Sequence, residues 1–154
     1  MEKIVMKKFI QIISVVLALL PIASCSGEND EKVVAPICGE WHLNSTDESV
    51  DIYLAFYKDY TFELYQWVEG AGDYYELRTG NFAFDGKTVS GTYSDGSHWR
   101  YDWSVEYTDN SLTMTRIGDN TQPDVFVRET IPFLVRSLAN KKTKSAVVST
   151  EAYL

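Results

Sequence analysis

From Gly39 to Glu129, aromatic and β-branched residues alternate with polar ones in short runs broken by turn residues. The alternation is clearest after His98. Trp99, Tyr101, Trp103, Val105 and Tyr107 fall on one face, and His98, Arg100, Asp102, Ser104 and Glu106 on the other. A period of two belongs to a strand with one buried and one wet face. Ile52, Leu54 and Phe56, set against Asp51, Tyr53 and Tyr57, repeat the split. Runs of this kind cover 40–45, 50–57, 61–68, 74–84, 87–94, 98–107, 111–117 and 124–130, which makes eight candidate strands at near-even spacing. That rhythm predicts a sandwich or a barrel. Asp85-Gly86 and Asp95-Gly96 are strong hairpin turns, with Lys58-Asp59 and Thr108-Asp109-Asn110 weaker ones. Short turns imply an antiparallel meander, and closing it into an up-and-down barrel removes its two exposed edges. Beyond the strands, Pro132 opens a short helix in which Phe133, Leu134 and Leu138 are expected to face inward, followed by a polar tail expected to be poorly ordered.

The start of the chain has a different pattern. Lys3, Lys7 and Lys8 precede an apolar run from Phe9 to Leu20, interrupted by Gln11 and Ser14 and followed by Pro21. The order of basic, apolar and small residues is that of a removed secretory signal, and the run is short for a membrane span. Ile22-Ala23-Ser24-Cys25 resembles the lipobox of bacterial lipoproteins. That resemblance implies cleavage before Cys25 and a diacylglycerol on its thiol, so the membrane is the expected partner and the cell envelope, at the outer membrane or cell surface, the expected location. Residues 1–24 are then signal peptide, 25–38 a lipidated tether, 39–131 the barrel, and 132–154 the short helix and tail. Within the tether, Ser26 to Lys32 is polar and acidic. It reads equally as a solvated spacer and as a likeness to the surface-export signal of lipoproteins in some Gram-negative phyla.

The barrel segment also has a resemblance. Gly39-Glu40-Trp41 opens the first strand as the Gly-x-Trp signature opens lipocalins, Thr108-Asp109-Asn110 sits at the sixth turn, and Arg128 lies in the eighth strand. Phe56-Tyr57-Lys58-Asp59 with Thr61-Phe62, and Gly91 to Gly96 with Trp99, are similar to hairpins of the lipocalin-like domain of small bacterial lipoproteins. The resemblance implies an all-β, eight-stranded antiparallel up-and-down lipocalin-like barrel closed by Arg128 packed over Trp41. Arg116 is a rival for that place. The chain departs from the family at the turn, which lacks the usual Tyr, and in having no disulfide to tie down the tail.

Composition narrows the functional classes. Removing Lys3, Lys7, Lys8 and Glu2 takes the chain from 14 Lys+Arg and 22 Asp+Glu to 11 and 21, a net charge of −10. So acidic a body excludes nucleic acid as an expected partner. Cys25 and Cys38 are the two cysteines, and with Cys25 lipidated no internal disulfide is expected. Phosphate loops, Cys-x-x-Cys pairs and His-Glu-x-x-His runs do not occur. His42 and His98 lie far apart in sequence, so no metal, cofactor or catalytic role is expected, and a monomer is. Glu63, Glu69, Asp73 and Glu76 read as a solvated acidic face.

The 10 Tyr, 7 Phe and 4 Trp leave two readings open. An eight-stranded barrel is just wide enough to be filled by side chains or to hold one small ligand. In the first case the protein is an interaction module, an envelope adaptor or hydrolase inhibitor. In the second it binds a small apolar or amphipathic molecule, with Phe56, Leu64, Trp99, Tyr101 and Trp103 lining the pocket.

Overall fold

The structure is a computed structural model that describes residues 34–68, 74–139 and 151–154. Cys25, the signal peptide, most of the tether, Glu69 and Asp73 lie outside the described residues. Eight strands run β1 Gly39–Leu43, β2 Ile52–Phe56, β3 Thr61–Val68, β4 Tyr74–Phe84, β5 Thr88–Tyr93, β6 Trp103–Tyr107, β7 Ser111–Arg116 and β8 Asp124–Arg128, followed by helix α1 at Phe133–Ala139. Each strand pairs antiparallel with the next, and β8 returns to β1 with Trp41 opposite Arg128 and Leu43 opposite Phe126, closing the barrel.

The turn residues act as their types predict. Gly86 and Gly96 sit at φ of 100° and 88°, in the left-handed region that glycine enters without steric cost. Asp85 and Asp95 accept hydrogen bonds from the backbone N–H of Lys87 and of Ser97, both at 2.8 Å, which fixes each hairpin locally.

Strand alternation divides the apolar residues between two cores. Trp41, Leu54, Phe56, Phe62, Leu64, Val89, Trp103, Leu112, Met114 and Phe126 point inward and are almost wholly buried. A second cluster lies on the outer wall, where Tyr53, Ala55, Tyr65 and Tyr75 meet Ile131, Val135 and Ala139. β2 is therefore buried at every position, its inner residues by the core and its outer ones by this cluster.

Helix α1 thus packs outside the wall, with Leu138 half-buried against it as expected, whereas Phe133 and Leu134 face away. Val135 and Ala139 are buried, while Phe133 and Leu134 are 86% and 64% exposed. Arg136 sets the rotation. Its guanidinium donates to Glu40 Oε1 at 2.7 Å, Glu63 Oε2 at 2.9 Å and the Tyr65 hydroxyl at 3.0 Å, which holds the 135–136–139 side against the wall. Glu63 is accordingly an ion-pair partner and not part of a solvated face.

Three further differences shape the two ends of the barrel. Residues 34–38, expected as tether, fold over the end where β1 starts. Ala35 and Ile37 are buried, and Trp41 Nε1 donates to Ile37 O at 2.9 Å. The sixth strand begins at Trp103, not His98. Val89 pairs with Trp103 and Thr92 bridges His98, so three steps along β5 face five along its partner. This is a bulge of two extra residues. Because the excess is even, Trp99 and Trp103 still point the same way. Finally, the segment 151–154, expected as loose tail, is packed into the opposite end, where Leu154 is 1% exposed.

Candidate functional site

In an up-and-down barrel, odd strands end and even strands begin at the same rim. Here that rim carries Gln66, Tyr93, Trp103, Arg116 and Asp124. Each continues the inward parity of its strand, since Gln66 follows Phe62 and Leu64, and Arg116 follows Leu112 and Met114. The inner wall thus changes from apolar to polar on approaching this end. Arg78 opposes Leu64 and pairs with Glu76 at 3.2 Å. Arg116 lies 5.2 Å over the Trp103 ring and 5.5 Å over Tyr101, with Asp124 at 4.0 Å.

The segment Glu151-Ala152-Tyr153-Leu154 occupies this end, held through backbone and side chains alike. The Gln66 carboxamide donates to Glu151 O at 3.3 Å and accepts from Tyr153 N–H at 3.2 Å. Leu154 O accepts from the Tyr93 hydroxyl at 2.9 Å and from Arg100 N–H at 3.4 Å. Arg100 belongs to the bulge, whose outward swing leaves this N–H free to meet the segment. The Tyr153 ring stacks 5.5 Å from Trp103 and lies edge-on to Phe126 at 6.1 Å, and its hydroxyl donates to Asp124 Oδ2 at 2.6 Å. Glu151 pairs with Arg100. Burial, then the adjacent Asp124 carboxylate, pushes the Tyr153 phenol far above its ordinary pKa. Burial pushes Tyr93 up to about 12. Both phenols are therefore neutral donors across the physiological range.

Two buried donors at this site, Trp103 Nε1 and Arg116 Nε, make no hydrogen bond among the described residues, and neither does Trp99 Nε1 deeper in. A buried polar hydrogen without an acceptor costs on the order of 1–3 kcal/mol.

The residues expected to line a pocket are placed as follows. Phe56, Leu64, Trp99 and Trp103 are buried, with Trp99 packed edge-on to Phe62 at 5.0 Å and tilted against Phe56 at 6.5 Å. They fill the interior against one another. Trp103 alone of these meets the docked segment by a ring contact, and Tyr101 sits half-buried between Arg100 and Arg116. Trp41 and Arg128 come together at the other end, the guanidinium 4.1 Å above the indole, while Arg116 stands with Trp103. His42 lies on the outer surface between Asp51 at 2.7 Å and Glu129 at 2.9 Å, and His98 contacts Thr92 Oγ1 at 3.1 Å. Among the described residues no three His, Cys, Asp or Glu side chains are grouped to hold a metal ion. Cys38 is half-buried with a free thiol, and burial raises its pKa. An outer depression of about 330 Å³ follows the bulge, lined by Asn81, Ser90, His98, Trp99 and Asp102 among others.

Sequence reasoning missed Gln66, Tyr93, Asp124 and the docked segment. A signal was present in the strands, because each of Gln66, Arg116 and Asp124 is a polar residue at an inward position next to a strand end. No comparable signal marks four residues beyond a helix.

No family model matches this chain, and no curated protein does. Among solved structures, it is similar to a Shewanella oneidensis protein determined at 1.42 Å and provisionally described as a lipoprotein. The two share 19% identity over 61% of this chain and 90% of the other, with a TM-score of 0.40.

Proposed function

We propose that this chain is a lipid-anchored envelope protein whose barrel is a binding module for an amphipathic ligand, received at the polar rim. The anchor rests on the signal-like start and on the lipobox resemblance at Cys25. One observation carries the binding reading. Trp103 and Phe126, which Tyr153 covers, form an aromatic wall directly beside buried donors, Trp103 Nε1 and Arg116 Nε, that have no acceptor among the described residues. A ligand with an apolar body and an acceptor oxygen would take the place of Tyr153 over the rings and pair those donors.

The anchor is tested by growing the host with an alkyne fatty acid. Label is expected on the full chain and absent from Cys25→Ser; equal labelling of both refutes it. The ligand is sought by native mass spectrometry of the full chain drawn from its own envelope in detergent. A reproducible adduct that weakens in Arg116→Gln supports the reading. A bare mass from both, with the fold intact, opposes it.

The interaction-module reading is favoured by one feature, the side-by-side exposure of Phe133 and Leu134 on α1. Exposed neighbouring apolar side chains are a mark of contact surfaces. Photo-crosslinking from position 133 in the intact envelope would give a discrete protein adduct under this reading and none otherwise.

A further inference from the structure

We infer that the polar rim is a peptide-binding site, and that segment 151–154 is its resident, exchangeable occupant. This rests on the binding-module reading and names the ligand class: an extended peptide with an acidic residue, then a small one, a tyrosine and an aliphatic one, whose further acceptors would meet Trp103 Nε1 and Arg116 Nε, the two donors that segment 151–154 does not pair.

The recognition is of a main chain, not of a generic apolar body. Gln66 presents both halves of its carboxamide to one edge of the segment, donating to the carbonyl of residue 151 and accepting from the amide of residue 153. Those two groups lie on one edge only when the peptide is extended. Tyr93 and Arg100 take the main-chain oxygen of Leu154. Three of the four residues are thus held through backbone atoms common to any peptide. The side chains supply selectivity. A ring fits between Trp103 and Phe126 with its hydroxyl on Asp124, an aliphatic side chain is buried beside it, and a carboxylate meets Arg100. A hydrogen-bonded main chain with pockets for particular side chains is how extended peptides are recognised elsewhere.

The occupant belongs to the same chain as its site, so its competition with an outside peptide is set by an effective concentration. A free peptide must outcompete that. A partner bearing the same pattern with additional contacts would do so, and the segment would leave as the partner entered.

The test uses the full lipidated chain in detergent micelles and the peptide Glu-Ala-Tyr-Leu capped at both ends, with Leu-Tyr-Ala-Glu as control. Tyr153→Asp combined with Leu154→Asp sets a carboxylate against Asp124 and another in an apolar pocket, which ejects the segment. Calorimetry is expected to show the peptide binding this variant at least tenfold more tightly than the unaltered chain, with no binding of the control. Adding Gln66→Ala is expected to weaken that binding at least fivefold. If the double variant fails to fold, Tyr153→Ala, which keeps Leu154, is expected to bind the peptide between the two extremes. A folded, ejected variant that ignores the peptide overturns the inference. If that variant still takes up an amphiphile from envelope extract, the binding-module reading survives; if it takes up neither, both fall.

Discussion

Replacing Gly39 by Ala is expected to destabilise the barrel by about 2.5–5 kcal/mol, through two separable effects. Gly39 has a φ of 148°, a conformation that L side chains rarely adopt, and the strain of a Cβ there is on the order of 1–2 kcal/mol. That Cβ would also lie 2.0 Å from Nη1 of Arg128. The guanidinium would have to leave its seat 4.1 Å above Trp41, losing a cation–π contact of roughly 0.5–2 kcal/mol. Its hydrogen bond to Cys38 O at 3.3 Å, about 1 kcal/mol, would go with it. The second effect requires Arg128 and the first does not. Urea unfolding of the single and double variants with Arg128→Ala isolates it as a coupling energy. A coupling of about 1–3 kcal/mol is expected, since Gly39→Ala should cost little beyond strain once the guanidinium is gone. Equal costs of Gly39→Ala in both backgrounds would refute the claim that the glycine exists to admit Arg128.

Other expectations follow from the same kind of reasoning. Gly91→Ala places a Cβ 2.3 Å from Trp99 Cε2, and that ring is backed by Phe62, so a loss of about 2–3 kcal/mol is expected in thermal or urea unfolding. Arg136→Ala removes the cation that Glu40 and Glu63 share, and amide exchange should accelerate across α1 while the barrel strands stay protected. Stability should fall at alkaline pH. Tyr53, Tyr65 and Tyr93 are each pushed up to about 12 by burial, so the folded state holds their protons more tightly than the unfolded chain does, and their contribution is complete below pH 10 and lost as pH rises toward 12. For Tyr93 this is on the order of 2 kcal/mol, read as a drop in urea midpoint that Tyr93→Phe should reduce.

The eight strands and their order were legible because each inward residue sits two apart from the next and each strong turn carries a residue suited to it, as at Asp85-Gly86. What was illegible has a physical cause in each case. The pattern from His98 to Tyr107 is unbroken because an even bulge leaves parity intact, so alternation cannot reveal it. Helix α1 has apolar residues on more than one side, and its rotation is decided by Arg136 finding two carboxylates distant in sequence. Ala35 and Ile37 stand in a short stretch with no period. Tyr153 and Leu154 are two apolar residues in a tail, and their placement depends on a rim assembled from β3, β5, β6 and β8. The site residues were visible singly as inward polar positions, but their convergence is a property of closure.

The two-residue bulge has a consequence for self-association. A closed barrel protects a protein by leaving no strand edge unpaired. Where three steps of β5 face five on its partner, that protection lapses, and Leu154 covers the gap by taking the Arg100 N–H. Proteolytic trimming of those few residues would uncover a stretch of unpaired main chain able to template strand addition between copies. Resistance of this protein to self-association should therefore depend on whether residues 151–154 survive.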